Sequence, residues 1–435
     1  MERFALSRMK EWKENENRKP LIIRGARQVG KTWIMKTFGQ QYFEKTAYVN
    51  FDNNARMKQV FEGDLDIERL VLAISAETGV SIEAENTLII FDEIQEVPKA
   101  LTSLKYFYEN APQYAIVAAG SLLGVALHQG TSFPVGKVDF LDLYPLNFRE
   151  FLCAMGEKQF VSMLDSCDTQ MVTVFKTKYI ERLREYYFVG GMPEVVKDFS
   201  EKKDYNRVRA IQKNLINYYQ QDFSKHAEIK LVPRLNLVWN SIPMQLAKEN
   251  KKYIYGQVRE GSRAKDFELA IQWLLDCGLI HKVQRIQKPD LPLKAYIDFD
   301  AFKLFLVDIG LLIAMTDLDA KVIIEGNKIF TEFKGALTEQ YILQQLISDV
   351  GEIPYYYSTQ NSKGEIDFLV QGKTSVIPIE VKAEENLKAK SLKAFCEKYQ
   401  PSYAVRTSMS DYREQDWMTN IPLYAVKWIK NYVNQ

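Results

Sequence analysis

Residues 25–32 read Gly-Ala-Arg-Gln-Val-Gly-Lys-Thr, a pattern of residue types suited to holding a polyphosphate. Gly25 and Gly30 let the backbone turn tightly, so the amides of Gly25, Ala26, Arg27, Gln28, Val29 and Gly30 can converge on phosphate oxygens. Lys31 can neutralise the outer phosphates, and the Thr32 hydroxyl can ligate Mg2+. About sixty residues further on, the apolar run Leu88–Phe91 ends in Asp92 and Glu93. Asp92 is the candidate for holding the metal through water, and Glu93 for polarising an attacking water. The pair of motifs points to binding and hydrolysis of a nucleoside triphosphate, with Lys31 and Glu93 as catalytic groups. A third apolar run, Ala115–Ala119, ends at Gly120-Ser121. Ser121 is a candidate for contacting the terminal phosphate or the water; an ordinary turn serine is the alternative.

A second constellation lies near the C-terminus. Glu365-Ile-Asp367 is followed, after a turn, by Val376-Ile-Pro-Ile-Glu380-Val-Lys382. In a strand Glu380 and Lys382 share a face, because side chains alternate with period two. A hairpin could set Asp367 beside them. Asp367 and Glu380 would then hold a divalent ion, with Lys382 stabilising charge and Glu339 as a fourth member. The alternative is a solvated Glu-x-Lys pair on an exposed strand.

These residues need elements to position them. Leu21–Arg24, Ala47–Phe51, Leu88–Phe91 and Ala115–Ala119 read as buried strands separated by helix-like stretches such as Trp33–Phe38, the rhythm of a parallel sheet covered by helices. After about residue 140 the pattern turns helical, through Phe148–Met155 and Val172–Tyr187. Phe267, Ala270, Ile271, Leu274 and Leu275 recur at helical spacing before Gly278. Strands are expected at Leu279–Val283 and Lys294–Asp298. Helix, strand, turn, strand fits a winged helix; a small helical lid with a hairpin fits equally. An apolar stretch, Phe302–Met315, precedes a helix at Glu332–Ser348. Then come strands at Tyr355–Ser358, Ile366–Val370 and Val376–Val381, with turns at Asn361–Gly364 and Gln371–Thr374. Tyr355, Tyr356 and Tyr357 could stack on bases or pack within a strand.

The segments GARQVGKT, FDEIQEVP with LTSLKYFYE, AAGS and YPLNFREF resemble those of prokaryotic AAA-type ATPases that carry a C-terminal restriction-endonuclease-like domain. YFVGGMPEVV, Tyr187 to Val196, resembles that family's lid. The resemblance spans nearly the whole chain. It implies ATP rather than GTP, in keeping with the lack of an Asn-Lys-x-Asp signature. It also places Glu339, Asp367, Glu380 and Lys382 in the PD-(D/E)XK pattern, with Glu339, Asp367 and Glu380 on a nuclease Mg2+. The expected α/β architecture is an AAA-type P-loop NTPase parallel-sheet domain over 1–150. A helical lid and winged-helix-like basic region follows over 151–325, and an α/β restriction-endonuclease-like domain over 326–435. Where the pattern expects Gly-Arg, this chain has Gly136-Lys137. Lysine lacks arginine's bidentate fork, which weakens Lys137 as a finger acting on a neighbouring nucleotide in a homo-oligomer.

The chain has 435 residues, 57 Lys plus Arg against 56 Asp plus Glu, 46% hydrophobic and 26% charged residues. That composition excludes a disordered, collagen-like or disulfide-framework chain. Cys153, Cys167, Cys277 and Cys396 lie far apart and there are three histidines, so a structural zinc site is not expected. The charged N-terminus and the absence of a long apolar run predict a soluble, cytoplasmic protein with no membrane partner. The net charge of +1 conceals an asymmetry: residues 181–290 hold 20 basic and 14 acidic residues, a local excess of +6 that includes Lys251, Lys252, Arg259, Arg263 and Lys265. Such residues could contact DNA phosphates, duplex or branched, or meet acidic neighbours. Two functions are expected on this basis. One is an ATP-driven motor or switch on DNA; the other is an ATP-controlled signalling or scaffold protein whose nuclease-like domain is inactive.

Overall fold

The computed structural model describes residues 1–120, 124, 133–248, 251–325, 331–359, 364–384 and 389–435. These divide into two compact units, residues 2–144 with the short turn 276–278, and residues 145–275 with 279–435. Residues 151–325 and 326–435, expected as separate domains, thus share one unit.

The first unit is built on five parallel strands: β1 (Leu21–Arg24), β2 (Lys45–Asn50), β3 (Thr87–Asp92), β4 (Ala115–Ala119) and β5 (Asp139–Asp142). Their order is β2-β3-β4-β1-β5. Every residue of β3 and β4 is buried, as expected for strands covered on both faces. Phe51, Phe61, Phe91 and Phe107 close one layer of the core in edge-to-face pairs with centroids 5.2–6.4 Å apart. β4 lies between β1 and β3, and in register Ile23 faces Ala119 while Ala118 faces Phe91. The carboxyl ends of all three strands therefore open on one edge, where ligands of such sheets collect.

The second unit combines a helical part with an eight-stranded mixed sheet. Its strands are β6 (Ile280–Ile286), β7 (Ile297–Leu306), β8 (Tyr355–Ser358), β9 (Glu365–Gln371), β10 (Val376–Val381), β11 (Val405–Ser408), β12 (Arg413–Gln415) and β13 (Met418–Pro422). The order is β12-β13-β11-β10-β9-β8-β6-β7. The helix Ala264–Asp276 and the hairpin β6–β7 occur in the order expected of a winged helix, but the hairpin is not free-standing: Arg285 and Ile286 pair in parallel with Tyr356 and Tyr357 of β8. The strand expected at Lys294–Asp298 begins later, at Ile297, and runs through the apolar stretch to Leu306. Tyr356 and Tyr357 are buried, Tyr357 against Phe395 and Tyr399, so the tyrosine run is strand packing.

A buried polar network ties the helical part to this sheet. The YFVGGMPEVV segment joins a helix (Lys176–Val189) to another (Pro193–Lys202) through Gly190 and Gly191. Gly190 has φ +73°, and a Cβ there would sit 2.2 Å from Asp308 Oδ1. Asp308 caps the helix Ile309–Met315 by accepting from the Leu311 amide at 3.1 Å, and it accepts from the Gly191 amide at 2.6 Å. Gln344 Nε2 donates to Asp308 at 3.2 Å and to the Tyr186 hydroxyl at 2.9 Å. Burial pushes the Asp308 carboxyl up to about 6, against the amides that favour its ionised form. A carboxyl raised on folding stabilises at low pH and loses that contribution as pH climbs from 3.8 through 6. Asp308→Asn is expected to flatten the pH dependence of chemical denaturation in that window. Asp308→Ala, which orphans two buried amides, is expected to cost about 2–5 kcal/mol of stability.

Candidate functional site

The P-loop is shaped by backbone strain that few residues tolerate. Gly25 has φ +143°, and a Cβ on it would lie 2.1 Å from the Leu143 carbonyl oxygen. Gln28 and Gly30 also have positive φ, at 67° and 94°. Ala26 and Val29 are buried, which anchors the loop to the sheet. Gly30 then caps the helix Lys31–Tyr42, whose N-terminus adds its partial positive charge to the loop amides. Arg3, far away in sequence, donates to the Val29 and Tyr144 carbonyls at 3.0 and 2.6 Å.

Lys31 is buried, with Nζ donating to the carbonyls of Gly25 and Ala26 at 2.8 Å each. Burial pushes its ammonium down to about 8, partly offset by Glu93 and Asp92. β1 and β3 are two strands apart, roughly 9.5 Å, and Thr32 bridges that gap. Its Oγ1 donates to Asp92 Oδ2 at 2.7 Å. The same oxygen accepts from the Tyr48 hydroxyl at 2.9 Å, and the Glu93 amide donates to Asp92 Oδ1 at 3.1 Å. Glu93 follows with φ 50°, a conformation rare outside glycine, and its Oε2 accepts from Gln95 Nε2 at 2.7 Å. Thr32 hydroxyl and Asp92 carboxylate are hard oxygen donors already within hydrogen-bond reach of each other, which fits Mg2+ held with waters and phosphate oxygens.

The structure therefore brings Lys31, Thr32, Asp92 and Glu93 to one edge. Ser121 lies outside the described residues. Lys137 pairs with Glu109 at 3.1 Å. Sequence reasoning missed Arg3, Tyr48 and Gln95. Gln95 carried a signal, its spacing of two from Glu93, whereas nothing local marks Arg3 or Tyr48.

The residues of the C-terminal constellation lie on the helix Thr331–Gln345, on β9 and at the end of β10. Glu380 pairs with Lys382 at 2.7 Å, as period-two alternation requires. Across β10 and β11 Glu380 faces Arg406 in register. Asp367 lies on the neighbouring strand β9, and its Oδ2 accepts from the Val381 amide, next to Glu380, at 2.7 Å. Glu339, on the helix Thr331–Gln345, shares a hydrogen bond with Asp367 and pairs with Lys251 and Lys303. Burial and the Glu339 charge push the Asp367 carboxyl up, while Lys251 and Lys303 hold Glu339 below its usual range despite its burial. Between Tyr355↔Leu369 and Tyr357↔Ile366, β9 carries one extra residue, at Asp367 and Phe368. Among the described residues no three His, Cys, Asp or Glu side chains gather as a metal-holding group.

The basic segment 181–290 is partly neutralised from outside itself. Arg182 pairs with Glu157, Lys213 with Asp317, Arg285 with Asp298 and Lys251 with Glu339. These four acids, less the outside Lys178 that pairs with Glu181, offset about half of the local excess. Arg259, Arg263 and Lys265, around the start of the helix Ala264–Asp276, remain exposed. Among the described residues no helix is long and apolar enough to cross a membrane.

With this geometry in place, comparison with known proteins gives three segment matches. Residues 17–152 match the model of an AAA domain. Residues 180–322 and 334–426 match two domains of unknown function, DUF8612 and DUF4143. The first segment thus matches an AAA-domain model and has a parallel-sheet P-loop fold. No protein of curated function matches the chain in sequence. Among solved structures, a Walker-type ATPase of Pyrococcus abyssi is 15% identical with a TM-score of 0.44, covering 72% of this chain and 95% of that one. The Aeropyrum pernix ORC1 protein, solved in complex with DNA, is 14% identical with a TM-score of 0.28, covering 72% and 91%. A RuvB mutant from Thermogota maritima is 11% identical with a TM-score of 0.28, covering 64% and 86%. All three are distant likenesses.

Proposed function

We propose that the chain is a Mg2+-dependent ATPase of the AAA type that works as a switch on DNA. The observation that carries the ATPase reading is the Thr32–Asp92 hydrogen bond, with Glu93 beside it and Lys31 on the same edge. In this reading the Lys31 ammonium exchanges its two carbonyl partners for the outer phosphates of ATP. Asp92, fixed by Tyr48 and Thr32, supplies the carboxylate for the ion. Bound Mg2+ would screen phosphate charge as the terminal bond breaks. Glu93 polarises the attacking water, with Gln95 fixing the direction of its carboxylate. Arg259, Arg263 and Lys265 are the groups available for DNA phosphates.

One observation favours a second reading, a scaffold whose nucleotide state controls a protein partner: about half of the basic excess is already spent on acidic neighbours. Steady-state ATPase assays with and without duplex DNA separate the two. On the first reading duplex DNA raises turnover, and the rise fades steeply with added salt. Basal hydrolysis that DNA does not stimulate, with no gel shift at low salt, leaves only the scaffold reading. A chain that binds ATP without hydrolysing it overturns the ATPase itself.

A further inference from the structure

We infer that the acidic cluster beneath β9 is a site whose cation is the chain's own: the ammonium groups of Lys303 and Lys251 stand where a nuclease of the resembled pattern would place a divalent ion. The inference concerns the second unit and is independent of the ATPase reading.

Lys303 lies on β7, in register opposite Val283 of β6, so its backbone is fixed by the hairpin ladder. Its side chain is 0% exposed. Nζ meets Glu365 Oε1 at 2.5 Å and Glu339 Oε2 at 3.5 Å, and it lies 4.8 Å from the centre of the Tyr356 ring. Lys251 closes the other oxygen of Glu339 in a direct ion pair. An ammonium wholly out of water persists only when carboxylates surround it, and breaking such a set leaves an uncompensated charge. The pairing is therefore mutual: Glu339 and Glu365 hold Lys303 in the interior, and Lys303 occupies the ligand oxygens a metal would need.

The remaining carboxylates are committed in part. Asp367 Oδ2 accepts from the Val381 amide at 2.7 Å. Glu380, the other carboxylate of the pattern, pairs with Lys382 through Oε1, and its buried Oε2 has no hydrogen-bond partner among the described residues. A divalent ion entering this cluster would meet two fixed ammonium groups at close range. The residues present do not fit a Mg2+ site, and the cluster instead clamps β7, β9 and the helix Thr331–Gln345 together.

Mn2+ binding followed by electron paramagnetic resonance on the nucleotide-free full chain tests this, alongside plasmid nicking in Mg2+ and Mn2+. The parent and Glu339→Gln are expected to bind Mn2+ equally, and neither should nick supercoiled plasmid. Lys251→Ala with Lys303→Met frees the carboxylates and should tighten Mn2+ binding by about tenfold or more. Mn2+ should then raise the thermal midpoint of the double variant and leave the parent's unchanged. Parent Mn2+ binding that Glu339→Gln abolishes, or nicking that Asp367→Ala abolishes, would overturn the inference. A folded double variant that gains no Mn2+ binding would overturn it as well, because the lysines would not be what excludes the ion. If the double variant fails to fold, the parent and Glu339→Gln comparison still decides.

Discussion

Replacing Lys31 with alanine is expected to abolish measurable nucleotide binding. The ammonium is buried at the mouth of the loop, so its charge acts through protein rather than water. Losing two charge-assisted hydrogen bonds to phosphate, at roughly 1.5–3 kcal/mol each, weakens affinity by at least about a hundredfold. Fluorescent-nucleotide titration reads this directly, and thermal denaturation should show the variant still folded. A pH series adds an independent check. The ordinary lysine value is 10.5, and burial pushes Lys31 down to about 8. Phosphate favours the charged form, so affinity should fall as pH rises through 8 rather than through 10.5. A parent affinity unchanged up to pH 10 would show that Lys31 is not the group meeting phosphate.

Glu93→Gln is expected to do the opposite, keeping ATP and losing turnover. The amide is nearly the same size and retains a carbonyl oxygen for Gln95 to donate to, so the loop and the Asp92 carboxylate stay in place. What disappears is the group that polarises water, a contribution of about a hundredfold to ten-thousandfold. Single-turnover hydrolysis should fall by that factor while the dissociation constant for ATP changes little. Retained hydrolysis would mean that another group orients the water.

How much of this was legible in the sequence depended on how local each signal was. β1, β4, β8 and β10 begin and end where their residue patterns predict, because short buried runs of apolar or aromatic residues between polar turns have few alternatives. The P-loop was legible for a related reason: each of its residue types meets a backbone requirement only a few positions wide. β7 was not. An apolar run such as Phe302–Leu306 suits a strand or a buried helix equally, and only its pairing with β6 decides. The C-terminal carboxylates show the limit more sharply. Alternation accounts for Glu380 meeting Lys382 and the hairpin for Asp367 reaching the Val381 amide, but neither shows which distant groups meet Glu339. Lys303 and Lys251 were invisible as partners, since they reach the cluster from 36 and 88 residues before Glu339. The +6 of residues 181–290 is likewise reduced by acids that fold back onto the segment, which a charge counted along the chain does not show.

The hairpin β6–β7 also decides where the chain can be cut. A fragment beginning at residue 326 would follow the boundary of the expected C-terminal domain, yet it would lose the two strands that cover β8. The edge so bared carries Tyr356 and Tyr357, whose backbone groups lose their β6 partners and would template pairing with another copy. The same cut removes Lys251 and Lys303 and strands Glu339 without its counter-charges, at a cost of about 3–5 kcal/mol. Such a fragment would be prone to aggregate for want of a neighbour, so the smallest piece that keeps this sheet whole must reach back at least to the start of β6.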